Sequence, residues 1–106
     1  MNSQYKKGVI ELCVLSILHR QDCYGYDVSE IISNHINISS GTVYPILRKL
    51  KSNGLVTTYL SEESGGPPRK YYQLTKFGRN EYLTAKTEWS NFVNSVTKIL
   101  EGVTNE

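Results

Sequence analysis

Val43, Ile46, Leu47 and Leu50 stand at i, i+3, i+4 and i+7, and Asn53-Gly54 follows closely. That spacing predicts a short helix with one buried stripe, stopped by a residue that can take the left-handed conformation. The period then changes. Leu55-Val56-Thr57-Thr58-Tyr59-Leu60 and Arg69-Lys70-Tyr71-Tyr72-Gln73-Leu74 are rich in β-branched and aromatic residues. The stretch between them, 61–68, is polar and contains Gly65-Gly66-Pro67-Pro68. A two-stranded hairpin with a longish tip is expected. A helix running straight into a hairpin leaves few architectures open to 106 residues, because one modest core must serve both.

The rest of the chain reads as helix. Tyr5 to about Arg20 has apolar residues almost all the way round (Val9, Ile10, Leu12, Cys13, Val14, Leu15, Ile17, Leu18). Such a helix must be covered on more than one side, so its second cover is expected from another chain. Gln21-Asp22-Cys23 breaks it, and Tyr24 to Asn34 forms the next helix with Val28, Ile31 and Ile32 inward. Ser39 or Ser40 is the expected N-cap of the third helix. Pro45 then requires that helix to start late or to have an irregular first turn. Thr75 caps a last helix from Lys76 to about Glu101, whose apolar stripe (Phe77, Tyr82, Ala85, Trp89, Phe92, Val93, Val96, Ile99, Leu100, Val103) is too long for a three-helix unit to cover. The expected fold class is α+β, a winged helix-turn-helix at 5–75 with one long C-terminal dimerisation helix at 76–104.

Charge is unevenly spread. Residues 40–80 hold seven cations and two acids, whereas the remainder holds five cations and eight acids, within a net charge of +2. One face toward phosphate suits that polarity, although charge alone also fits an ordinary solvated surface. With the stripe inside, Thr42, Tyr44, Pro45, Arg48 and Lys49 lie on or near the open side of the third helix. The major groove of duplex DNA admits one helix, and Arg or Lys there can pair with guanine acceptors. Ser39, Ser40 and the free N–H groups at the helix start can hold a phosphate. Arg69 and Lys70 follow the hairpin tip, where an arginine can enter a minor groove. Tyr71 and Tyr72 alternate, so one is expected in the core and one outside.

Other function classes find little support. No apolar run approaches the ~20 residues of a membrane span, and the N-terminal stretch lacks a signal-peptide pattern. Cys13 and Cys23 stand ten apart and fit neither a zinc ribbon nor a disulfide framework, as expected of packed thiols in a reducing cytoplasm. His19 and His35 have no partners at metal spacing, and no nucleophile elbow or phosphate loop occurs. No catalytic residue, metal or cofactor is expected.

Gly41-Thr42-Val43-Tyr44-Pro45-Ile46-Leu47-Arg48-Lys49-Leu50 with Asn53-Gly54-Leu55-Val56, and Pro68-Arg69-Lys70-Tyr71-Tyr72-Gln73-Leu74-Thr75 before Gly78, resemble the PadR family of bacterial transcriptional regulators. Tyr24-Gly25-Tyr26 is similar as well, and the likeness covers roughly residues 5–101. It implies a homodimeric winged-helix protein, usually a repressor, often acting at its own or a neighbouring promoter. A single C-terminal helix is similar to the short subgroup. There Ala85-Lys86-Thr87-Glu88-Trp89-Ser90 resembles a stretch of a lactococcal multidrug-sensing regulator that lines a pore between subunits and stacks its tryptophan on planar drugs. The resemblance implies a small aromatic effector held by Leu12, Ser16, Ala85, Trp89 and Val93. Val93 stands where that regulator has an acid. Read without the resemblance, Trp89 is first an interface anchor, and the alternative to the leading DNA-binding reading is a winged-helix protein–protein interaction module without a DNA target.

Overall fold

Four helices and three short strands follow one another as α1 (Ser3–Arg20), β1 (Cys23–Tyr24), α2 (Gly25–Ser33), α3 (Val43–Ser52), β2 (Val56–Ser61), β3 (Arg69–Leu74) and α4 (Lys76–Leu100). The structure, a computed structural model, describes residues 3–39, 41–62 and 65–102. It is a winged helix-turn-helix of the α+β class with a long C-terminal helix.

The α3 stripe is buried as its spacing predicts, with Val43, Ile46, Leu47 and Leu50 all inside. At its end Leu55 N donates to Leu50 O at 2.9 Å and Gly54 N to Lys51 O at 3.1 Å, with Gly54 at φ +79°. Those two bonds satisfy carbonyls that a helix end otherwise leaves open. The start differs from expectation. The helix begins at Val43 with Thr42 as the cap residue, and no side chain makes a cap bond. Ser39 instead meets the Thr42 hydroxyl at 3.0 Å, and Ser40 lies outside the described residues. A start at Val43 puts Pro45 in the first turn, where an N–H would have no helical partner, so the proline forfeits no bond.

Tyr24 is a second difference. It is the cap residue of α2, with extended backbone, and it also lies in β1, with Cys23 opposite Tyr72 and Tyr24 opposite Tyr71. The sheet therefore has three antiparallel strands in the order β1-β3-β2, and the predicted hairpin pairs from Val56–Leu74 to Ser61–Arg69. Alternation sends Cys23, Val56, Tyr72 and Leu74 into the core. Tyr71 is half-buried on the opposite face, in keeping with the expected split of the tyrosine pair. Ile31 also departs from expectation and is 40% exposed. The buried line of α2 runs Gly25, Val28, Ser29, Ile32, and Ile31 sits one residue off that stripe.

The core is completed by Ile10, Val14, Leu15 and Leu18 of α1 and by Tyr82 of α4. Thr75 caps α4 as expected. Its hydroxyl accepts from Gly78 N at 2.9 Å and lies 2.7 Å from Gly54 O and 3.0 Å from Leu55 O. One side chain thus joins the end of α3, the start of β2 and the start of α4. Thr75→Ala is expected to cost about 1–2 kcal/mol, read as a lower denaturant midpoint with an unchanged slope.

Beyond Tyr82 no residue of α4 is buried. Leu83, Phe92, Val93, Ile99 and Leu100 are exposed, Leu100 by 80%, and Val103 lies outside the described residues. The projecting helix stretches the molecule to 62 Å. Its radius of gyration is 16.2 Å, against about 13 Å for a compact chain of this length. Both cysteines are free, and burial pushes both thiols above their ordinary pKa.

Candidate nucleic-acid interface

The open side of α3 carries Tyr44, Pro45, Arg48 and Lys49, all exposed, with Thr42 half-buried at its start. Arg69 and Lys70 are exposed at the start of β3. The two groups converge. β1 leaves the sheet after Tyr24 to become α2, so it does not continue alongside Arg69 and Lys70. A cleft of about 510 Å³ opens there, lined by Tyr24, Gly25, Tyr26, Tyr44, Arg48, Arg69, Lys70 and Tyr72. Among the described residues three cations line it and no carboxylate does. Such a site favours an anion.

Tyr44 packs over the start of α2, where a side chain at residue 25 would come within 3.0 Å of its ring. The glycine of Tyr24-Gly25-Tyr26 therefore lets α3 approach α2 closely. Lys49 is turned elsewhere. Its Nζ donates to Glu11 Oε1 of α1 at 2.7 Å, so one member of the predicted set is already engaged by an acid. That pair bridges 38 positions of sequence, and no local pattern announces it.

The far face of the sheet carries a row that sequence reasoning did not assemble. Tyr24 and Tyr71 meet edge to face at 5.8 Å between centroids, and Tyr71 stacks on Tyr59 at 5.7 Å. The signal was present in the tyrosines at 24, 59 and 71, but only the strand register aligns them. Arg69 lies against this row through Tyr24.

A second groove, of about 490 Å³, runs between α1 and α4 and is lined by Gly8, Val9, Leu12, Ala85, Glu88, Trp89 and Phe92. It brings together Leu12, Ala85 and Trp89 of the predicted effector set. Ser16 and Val93 do not line it. Ser16 Oγ accepts from the Tyr82 hydroxyl at 3.1 Å, and Val93 is exposed on α4. Among the described residues no group of three His, Cys, Asp or Glu is placed to hold a metal ion, and no helix is long and apolar enough to cross a membrane.

Residues 14–84 match the family described as "Transcriptional regulator PadR-like family". A solved structure from Streptococcus mutans UA159 superposes with a TM-score of 0.87 at 37% identity, covering 94% of each chain. A PadR-like transcriptional regulator of Bacillus cereus strain ATCC 14579 gives 0.87 at 34% identity, covering 95% of this chain and all of that one (100%). The transcriptional regulator YqjI of Escherichia coli is 36% identical over 75 residues, which span 67% of this chain but only 34% of that regulator.

Proposed function

The chain belongs to the PadR-like family of transcriptional regulators and is a DNA-binding, non-enzymatic protein, and from that premise we propose that it acts as a homodimeric repressor in the cytoplasm, released from its operator by a planar aromatic ligand. Residues 5–75 serve as the DNA-binding unit and the segment 76–104, which contains α4, serves for dimerisation. The observation that carries this reading is the sharing of one cleft, with no carboxylate among its described lining residues, by Arg48 of α3 and Arg69 and Lys70 of the hairpin. Ser40, Thr42, Tyr44, Pro45 and Lys49 complete the DNA-contacting set.

Dimerisation rests on α4. An exposed stripe of Phe92, Val93, Ile99 and Leu100 beside the groove at Trp89 is an apolar face that a second copy of the chain covers. The two-fold pair sets the reading helices about one turn of DNA apart, roughly 34 Å. Sedimentation velocity is expected to give a dimer for the unsubstituted protein and a monomer for Phe92→Asp; a dimer in both would remove α4 from the interface. Leu12, Ala85 and Trp89 are the effector contacts that the groove supports best. Trp89 emission is expected to change with at least one member of a panel of planar aromatics, and the same compound should release DNA. A silent panel would leave Trp89 as an interface anchor.

A further inference from the structure

We infer that Tyr24 is a positioning residue for DNA recognition, which holds Arg69 of the wing ready for the DNA backbone at the cleft it shares with Arg48. The inference rests on the DNA-binding reading above. Arg69 Nη1 donates to the Tyr24 hydroxyl at 2.8 Å, and the guanidinium carbon stands 4.8 Å from the centre of the same ring. The cation is therefore held by a ring face and a hydrogen bond at once, although the side chain is exposed.

Tyr24 is itself fixed. It pairs with Tyr71 across the sheet, and Tyr26 lies alongside it at 6.2 Å. Beyond Tyr71 comes Tyr59, whose hydroxyl donates to Asp22 Oδ2 at 2.6 Å. Gln73 Nε2 reaches the same oxygen at 3.2 Å. The row is thus tied to Asp22 at the Tyr59 end and flanked by Tyr26 at the Tyr24 end, contacts that are made without DNA.

A free arginine gives up rotamer freedom when it grips a phosphate, and one already held gives up less. The Tyr24 hydroxyl occupies one of five guanidinium N–H donors, so four remain for a phosphate. Preorganisation of this kind raises affinity without Tyr24 touching DNA.

A double-mutant cycle on operator affinity tests the role, with Tyr24→Phe, Arg69→Ala and the pair measured by fluorescence anisotropy on the full chain. Tyr24→Phe keeps the ring and removes the hydroxyl, and is expected to weaken binding about three- to tenfold at an unchanged melting temperature. In the Arg69→Ala background the same change is expected to alter affinity less than about twofold. Equal losses in both backgrounds would overturn the inference, because Tyr24 would then act independently of Arg69. Tighter binding by Tyr24→Phe would also overturn it, by showing that the hydroxyl holds Arg69 back. An unsubstituted protein that binds no duplex selectively would bring down the DNA reading, and the role of Tyr24 with it.

Discussion

Gly78→Ala is expected to lower the thermal midpoint by roughly 10–20 °C, the largest stability effect of any single methyl in this chain. A Cβ at residue 78 would overlap the Leu55 carbonyl oxygen and come within 2.9 Å of Leu74 Cδ1. The carbonyl cannot step aside, since it accepts from Thr75 N at 3.0 Å and is also bound by the Thr75 hydroxyl. Relief would require α4 to lift off the sheet and surrender the cap and the buried Tyr82. Overpacking against backbone of this kind costs on the order of 3 kcal/mol or more. Gly41→Ala is the control, because nothing lies within 4 Å of its Cβ position, and it should leave the midpoint nearly unchanged. Equal midpoints for Gly78→Ala and the unsubstituted protein would mean that α4 does not pack on Leu55 in solution.

Arg48→Ala and Arg69→Ala carry the largest expected effects on binding. Each should cost about 1–3 kcal/mol of operator affinity, and together on the order of a hundredfold or more. Both side chains are exposed, so the fold should be unaffected. If Arg69 meets a phosphate, its loss should also reduce the salt slope by about one. Lys49→Ala should cost less. Its ammonium is already paired with Glu11 at 2.7 Å, and that partner must be released before DNA gains the charge. Unchanged affinity in both arginine variants would remove the reading helix and wing from the account.

What could be read from the sequence was whatever is encoded locally. The α3 stripe, its stop at Gly54 and the Thr75 cap each depend on residues within about two helical turns, and the hairpin on two strands adjacent in sequence and joined by one tip. That α3 starts late or has an irregular first turn follows from Pro45 alone, and the late start is what the structure has. The misses depend on partners distant in sequence. β1 exists because Cys23 and Tyr24 meet Tyr72 and Tyr71, and residue 24 by itself suits a helix start as well as a strand. Ile31 stands at helical spacing from Val28, so local period alone points it inward, whereas the burial line of α2 is set by how that helix lies against α1 and α3. The candidate site divides in the same way. Its cations were visible as types in a basic segment, but the Lys49–Glu11 pair and the Arg69–Tyr24 contact join residues 38 and 45 positions apart. Those tertiary contacts separate a lysine already engaged from an arginine held ready.

On the dimeric reading, two copies of this chain read one duplex through paired α3 helices and hairpins. Selection of bound duplexes from a random pool, with the full chain at physiological salt, tests it most directly. Enrichment of a pseudo-palindrome is expected, with half-sites about 10 base pairs apart, or a multiple of that spacing, centre to centre, and with two chains bound per duplex. Recovery of no shared sequence, or of one unpaired half-site bound by a single chain, would contradict it.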